Sequence, residues 1–182
     1  MVNHYDNRIQ KFDINGNFIT KWGSFGTDNG QFQNPTGIAT DSKDNVYVAD
    51  TYNNRVQKFD SDGNFLLKWG SKGSGDGQFE DPEEYYITQD IVTDSKDNVY
   101  VADFYTDRIQ KFDSNGNFLT EWGSEGVFPG QFRGPSGIAI NSHDEIYVLD
   151  AYNNRVQVFV QSPSSIDREN NARLFEGITD QI

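Results

Sequence analysis

The sequence predicts an all-β protein made of repeated four-stranded antiparallel sheets, and three observations carry this prediction. A twelve-residue motif recurs along the chain. Short runs of alternating or continuous apolar residues surround each copy, as is typical of β-strands. Turns that contain glycine, such as SDGN at 61–64, separate these runs. A period of about fifty residues, with short strands separated by glycine-containing turns, is typical of a β-propeller, in which four strands form one blade.

The repeated motif marks four successive positions along the chain. It reads NRIQKFDINGNF at 7–18, NRVQKFDSDGNF at 54–65, DRIQKFDSNGNF at 107–118 and, in a shortened form, NRVQVF at 154–159. The arginines of the four copies, Arg8, Arg55, Arg108 and Arg155, are separated by steps of 47, 53 and 47 residues. The middle step is longer because EEYYITQD at 83–90 is inserted after Pro82.

The second copy shows the four predicted strands most clearly. We name them a, b, c and d, counted outward from the central axis, and place them at 37–42, 46–50, 55–60 and 65–70. Strand b, VYVAD, is continuously apolar, which is typical of a strand covered on both faces. Strand d alternates apolar and other residues, so we expect it at an exposed outer edge.

The other copies fit the same template. Strands a and b are predicted at 90–95 with 99–103 and at 137–142 with 146–150, and strand d at 18–23 and 118–123. The connectors between blades lie at 23–35, 70–82 and 123–135, and each contains one regular apolar anchor: Phe32, Phe79 and Phe132.

These motifs together resemble the NHL repeat. The pattern P-x-G-I-A-x-D, V-Y-V-A-D, N-R-[IV]-Q-K-F and G-N-F-x-x-x-W-G covers roughly residues 5–160. In that family the repeats form β-propellers, usually six-bladed, with a binding surface on one face. Members include domains of TRIM-type ubiquitin ligases, sensor domains of bacterial serine/threonine kinases and a metal-dependent lyase of peptide amidation. The resemblance implies a scaffold, which does not by itself imply a function.

Both ends of the repeat array are incomplete. We predict a partial blade at 1–23, blades at 34–70 and 81–123, and an incomplete blade at 134–160, followed by a non-repeat tail at 161–182. No strand a or b is expected before Arg8, and Leu174, Phe175 and Ile178 are candidates for a substitute strand d or a short helix. The expected architecture is an open arc of three to four blades, as part of a larger propeller or as half of a ring completed by a second copy. Such an arc exposes strand edges that invite pairing.

The composition restricts the possible functions. A net charge of −13 opposes binding to nucleic acid. The absence of cysteine excludes disulfides, thiolate nucleophiles and cysteine metal sites. No apolar run approaches the roughly 20 residues that span a membrane, and no signal-peptide pattern follows Met1. We therefore expect a soluble acidic protein, whose compartment the sequence leaves open.

The b–c loops provide the predicted partner-binding site. Tyr52, Tyr105 and Tyr152 occupy equivalent loop positions, and the insert adds Glu83, Glu84, Tyr85 and Tyr86 on the same face. Tyrosine is favoured at recognition surfaces because it adds contact area at low entropic cost. The structural alternative is that each loop tyrosine caps its blade and packs on the neighbouring blade.

Other polar motifs are better explained by structure than by chemistry. Each repeat arginine follows the end of strand b, so Arg–carboxylate pairs with Asp50, Asp103 and Asp150 are expected. The Asp-rich turns lack the spacing of a calcium loop and fit Asx turns instead. His4 and His143 are expected on opposite faces. The serines lie in turns, connectors or the tail, where we expect no histidine to activate one as a nucleophile.

The leading hypothesis is therefore a non-enzymatic binding module without a cofactor or metal. It would present the aromatic, acidic loop face to a protein or peptide partner, and the net charge suggests a basic one. The alternative is a divalent-metal-dependent hydrolase, lactonase or lyase with Asp50, Asp103 and Asp150 as ligands at the propeller mouth. Binding of RNA is the weakest hypothesis because of the negative charge.

Overall fold

The computed structural model describes residues 1–80 and 89–160 and the backbone of Gly177–Ile178. Its strands form four antiparallel sheets, each arranged in chain order. The first sheet contains β1 (Val2–Asn3), β2 (Arg8–Phe12) and β3 (Phe18–Trp22), and the second contains β4 (Pro35–Thr40), β5 (Val46–Asp50), β6 (Arg55–Phe59) and β7 (Phe65–Trp69). The third contains β8 (Asp90–Thr93), β9 (Val99–Asp103), β10 (Arg108–Phe112) and β11 (Phe118–Trp122), and the fourth contains β12 (Pro135–Ile140), β13 (Ile146–Asp150), β14 (Arg155–Phe159) and β15 (Gly177–Ile178).

Short 3-10 turns are the only helical elements in the described part of the chain. They occupy Thr51–Asn53, Phe104–Thr106 and Ala151–Asn153, each between strands b and c of a blade. Among the described residues, no helix is long and apolar enough to cross a membrane. The predicted all-β class, with β-propeller blades in an open arrangement, is confirmed.

The strand assignments within the complete blades follow the sequence prediction closely. Strand b lies at Val46–Asp50, as expected, and is buried throughout. Strand d at Phe65–Trp69 lies at the edge of its sheet, and its residues alternate between half-buried and exposed. Strand a begins at Pro35, two residues before the predicted start, because Pro35 already pairs with Asp50 across a local irregularity.

The chain ends differ from the prediction in one respect. Val2–Asn3 forms a short strand b, with Val2 opposite Ile9 and Asn3 opposite Arg8, so the expectation that none precedes Arg8 was wrong. These residues align with the end of strand b in the second blade and retain enough backbone to pair. At the other end, Gly177–Ile178 pairs with β14 in the position of strand d, as expected for Ile178, whereas Leu174 and Phe175 lie outside the described residues.

The hydrophobic core lies between consecutive blades. Tyr47, Ala49 and Val56 of the second blade pack against a cluster on the third blade that includes Val101 and Phe112. Equivalent clusters join the first blade to the second and the third to the fourth. Because full burial of one large apolar side chain contributes about 1.5–3 kcal/mol, these layers are a main source of the stability of the array.

The Asp-rich turns between strands are stabilised by Asx hydrogen bonds, as predicted. Asp60 accepts bonds at 2.9 Å from the amides of Asp62 and Asn64, and the Asn64 side chain donates to its second oxygen at 2.8 Å. Gly63 adopts a φ of +88° in this turn, where a Cβ would lie 2.7 Å from the Trp22 ring of the preceding blade. The turn therefore sets both the hairpin and the blade-to-blade contact.

Candidate functional site

The b–c loops and the connectors between blades lie together on one face of the array, as expected. The Tyr52 amide donates to the Gln33 carbonyl at 3.1 Å, and the Tyr152 amide donates to the Arg133 carbonyl at 3.0 Å. Each b–c turn ends on a residue in the left-handed conformation, such as Asn54 at φ 50°. We call this surface the loop face.

An open cleft of about 430 Å³ lies on the loop face at the first and second blades. It is lined by His4, Tyr5, Asn7, Phe25, Gln33, Asn34 and Tyr52. The His4 and Tyr5 rings lie 3.9 Å apart between centroids, and Tyr5 and Phe25 are largely exposed. The Asn34 amide donates to the Asn7 side chain at 2.8 Å, which fixes the connector against the first blade. The cleft therefore has aromatic walls and an amide floor.

Sequence reasoning identified only Tyr52 among the residues that line this cleft. A signal for Tyr5 was present, because Tyr5 stands at the same repeat position as Tyr52. Phe25 carried no comparable signal, since the corresponding connector residues are Lys72 and Glu125. The cleft arises where the first connector passes the first b–c loop, a juxtaposition that only the fold creates.

The other predicted tyrosines form a separate aromatic group at the third and fourth blades. Phe104 lies edge-on to Tyr105 at 5.5 Å and to Tyr152 at 5.7 Å between ring centroids. Tyr152 therefore packs on its neighbouring blade, which favours a structural contribution, yet it remains two-thirds exposed. The residues Glu83, Glu84, Tyr85 and Tyr86 of the insert lie outside the described residues.

The aspartates that end strand b, Asp50, Asp103 and Asp150, form buried ion pairs within their own blades. Asp50 is fully buried, accepts from Arg55 Nε at 2.7 Å and from the Gln33 amide at 2.7 Å, and is further bonded by Gln57 and Asn53. Arg55 continues to the carbonyls of residues 27, 28 and 31. Burial raises the pKa of Asp50 despite these bonds.

The predicted arginine–carboxylate pairs are confirmed in three blades. Arg108 Nε lies 3.3 Å from Asp103, and Arg155 Nε lies 2.8 Å from Asp150. In the first blade Asn3 stands opposite Arg8, which pairs instead with Asp6 at 2.9 Å. Phosphate reading by these arginines is therefore not needed to explain their repetition.

This geometry assigns Asp50, Asp103 and Asp150 a structural role and does not support them as metal ligands. All three are fully buried, and each carboxylate pairs with an arginine of the same blade. Within the described residues, no group of three acidic or histidine side chains is placed to hold a metal ion. Asp103 differs from its two equivalents, because its Oδ1 is buried without a hydrogen-bond partner among the described residues.

Comparison with known proteins supports both the repeat and the fold. The family model of the NHL repeat matches residues 32–59 and 132–159. No curated protein is similar enough in sequence to count as a relative. Solved structures with the same fold include a streptogramin B lyase, at a TM-score of 0.59 and 16% identity over 86% of this chain and 45% of that chain.

Two further solved structures are similar to the same extent. A virginiamycin B lyase from Staphylococcus aureus has a TM-score of 0.59 at 17% identity, over 86% of this chain and 46% of that chain. A Bacteroides caccae protein of unknown function has a TM-score of 0.60 at 16% identity, over 92% of this chain and 55% of that chain. The chain thus spans about half the length of these structures, and at such identities the likeness concerns the fold alone.

Proposed function

We propose that this chain is a binding module whose loop face receives a protein or peptide partner. Its β-propeller blades and its matches to the NHL-repeat model at 32–59 and 132–159 support the proposal. The observation that carries the proposal is the open cleft between the loops of the first two blades. A cleft of this size accommodates one or two side chains of a peptide, and exposed aromatic walls supply contact area at low entropic cost.

The charge of the chain suggests the chemistry of the partner. The net charge is −13, so a basic partner would be attracted over a long range. A cation on the peptide could stack on the exposed Tyr5 ring, an interaction that contributes about 0.5–1 kcal/mol at exposed sites. We therefore propose a peptide that combines an aromatic or aliphatic anchor with lysine or arginine.

A rigid frame supports this mode of binding. The cleft walls come from loops that are tied to packed sheets, through the bond from the Asn34 amide to Asn7 and the bond from the Tyr52 amide to Gln33. Loops held in this way lose little conformational entropy on binding. The array would act by displaying fixed loops, and the loops would supply specificity.

The proposal is tested by selecting peptides from a random phage-displayed library on the immobilised protein. We expect enrichment of basic peptides with an aromatic or aliphatic anchor. Calorimetry should show that the double variant Tyr5→Ala, Tyr52→Ala weakens the selected peptide by at least about tenfold, because anchors in such pockets carry most of the binding energy.

The matched control is Leu66→Ala with Leu119→Ala. These leucines are 47% and 49% exposed and lie on the outer strands β7 and β11, away from the loop face. Their replacement should leave the affinity unchanged. Selected peptides that bind both double variants equally well would place the site elsewhere and contradict the proposal.

The metal-dependent lyase or hydrolase remains as the second hypothesis only through the fold of the lyases described above. Its proposed ligands, Asp50, Asp103 and Asp150, are buried and paired with arginines in this chain. It would be revived by a rise in melting temperature with Zn²⁺ or Ca²⁺ that a chelator reverses.

A further inference from the structure

The three blade-to-blade interfaces use one pair of complementary surfaces. We define the forward face of a blade by the positions of Tyr47, Ala49 and Val56 in the second blade. The rear face is defined by the positions of Phe59 and Phe65. In the chain, the forward face of one blade packs on the rear face of the next, from the first blade to the fourth.

The two ends of the described arc expose one copy of each face. On the fourth blade, Leu149 and Val156 of the forward face are 46% and 57% exposed, whereas Ala49 and Val56 at the same positions of the second blade are 0% and 1% exposed. On the first blade, Phe12 and Phe18 of the rear face are 37% and 55% exposed, whereas Phe59 is fully buried. Both free faces are therefore apolar.

Sequence differences at the ends increase this apolar character. The forward face of the first two blades also carries a lysine on strand c. Lys11 and Lys58 donate to the backbone carbonyls of Ser61 and Ser114 in the next blade, each at 3.0 Å. The fourth blade has Val158 in place of this lysine. The first blade has Ile14 in place of the serine, and Ile14 is 99% exposed.

The two replacements are complementary. If the free forward face met a free rear face as those of the inner blades do, Val158 would lie beside the turn that carries Ile14. The lysine bond to the backbone carbonyl of that turn would be absent, and two apolar side chains would lie near one another. Leu149 likewise replaces the alanine of the inner blades. At these positions the first and fourth blades are therefore more apolar than the second and third.

We propose that a second copy of this chain covers both free faces, so that two arcs close one ring through two identical seams. Each seam joins the forward face of the fourth blade of one copy to the rear face of the first blade of the other. A head-to-tail contact of this kind closes when the rotation allows it.

Light scattering after size exclusion tests the stoichiometry. We expect a discrete mass of about twice 20.7 kDa at micromolar concentration. A monomer at all accessible concentrations would overturn the proposal, whether the free faces are then covered by residues 161–182 or remain bare. A ladder of higher masses would also overturn it, because it would indicate open filaments.

Two variants test the faces separately. Val156→Lys places a charge on the forward face, and Ile14→Lys places one on the rear face. Each alone should weaken the dimer, because both seams of its homodimer would contain the added charge. The effect should be larger for Val156→Lys, whose equivalent Val56 is 1% exposed in the second blade. The two side chains are exposed in the single chain, so the melting temperature of the monomer should change little.

A mixture of the two variants distinguishes this arrangement from other dimers. One of its two seams would contain neither substitution, so mixing should restore a dimer of weaker affinity. The matched control is Ile19→Lys, because Ile19 and its equivalents Leu66 and Leu119 are exposed to a similar degree in every blade. This control should remain dimeric. A mixture that stays monomeric, or a control that dissociates, would contradict the proposed seams.

Discussion

At the scale of the residue, the buried arginine–aspartate pair is the feature that single substitutions test most directly. Replacement of Arg55 by leucine leaves the Asp50 carboxylate buried without its cation, and loss of one partner of a buried pair costs about 3–5 kcal/mol. Replacement of Arg8 by leucine removes a surface pair with Asp6 and should cost less than about 1 kcal/mol. Urea unfolding measures both free energies, and equal losses would show that the buried pair of Arg55 stabilises the fold no more than the surface pair of Arg8 does.

A second prediction at the scale of the residue concerns the loss of folding stability at low pH. Burial opposes ionisation of Asp41, but hydrogen bonds from Asn45, Lys43 and Tyr47 outweigh it and lower the pKa to about 2. Because this pKa lies below the value near 3.9 of an unfolded aspartate, Asp41 stabilises the fold above about pH 4. That contribution is lost as the pH falls from about 4 to about 2.

Asp41→Asn tests this directly, because Asn141 already holds the equivalent turn of the fourth blade through the amides of His143 and Glu145. The variant should be less stable at neutral pH by on the order of 1 kcal/mol and should lose less stability between pH 5 and pH 2. Unfolding free energies measured across this pH range give the comparison. Parallel curves for the two proteins would contradict the assignment.

At the scale of the element, the turn between strands c and d couples a hairpin to the next blade. Gly63 and Gly130 have φ of +88° and +80°, but a Cβ on Gly63 would lie 2.7 Å from the Trp22 ring, whereas nothing lies within 4 Å of a Cβ on Gly130. Backbone strain should lower the free energy of unfolding of both alanine variants by about 1–2 kcal/mol. Gly63→Ala should cost about 1–3 kcal/mol more, for overpacking.

Thermal unfolding of the two glycine variants separates strain from contact. The difference should disappear in the background Trp22→Ala, which removes the ring that the new methyl group meets. A difference that persists without Trp22 would place its cause in the turn itself.

The strands were predictable because each carried two independent signals. Strand b combined a continuous apolar run with an Asx turn on its N-terminal side, so its bounds at Val46–Asp50 were placed correctly. Strand β1 was missed because two residues carry no periodicity, and only their register with β2 reveals them. The cleft on the loop face was missed for a related reason. Phe25 and His4 are far apart in the repeat numbering and meet only when the first connector folds back over the b–c loop.

At the scale of the whole molecule, the arc combines apolar ends with a strongly negative charge. Two copies of net charge −13 repel one another, while the proposed seams offer Leu149, Val156, Phe12 and Ile14 for burial. Repulsion between solvated charges is screened by salt, whose Debye length falls from about 30 Å at 0.01 M to about 3 Å at 1 M. Apolar burial is not weakened by this screening, and kosmotropic salts strengthen it.

We therefore expect association to become stronger as the salt concentration rises. The dimer dissociation constant, measured by sedimentation equilibrium, should fall several-fold between about 0.01 M and about 1 M sodium chloride. A seam held by ion pairs would show the opposite dependence, because salt would screen the attraction that holds it. The sign of the salt effect thus separates an apolar closure of two arcs from an electrostatic contact between them, and Val156→Lys should weaken the dimer at every salt concentration if the closure is the apolar one.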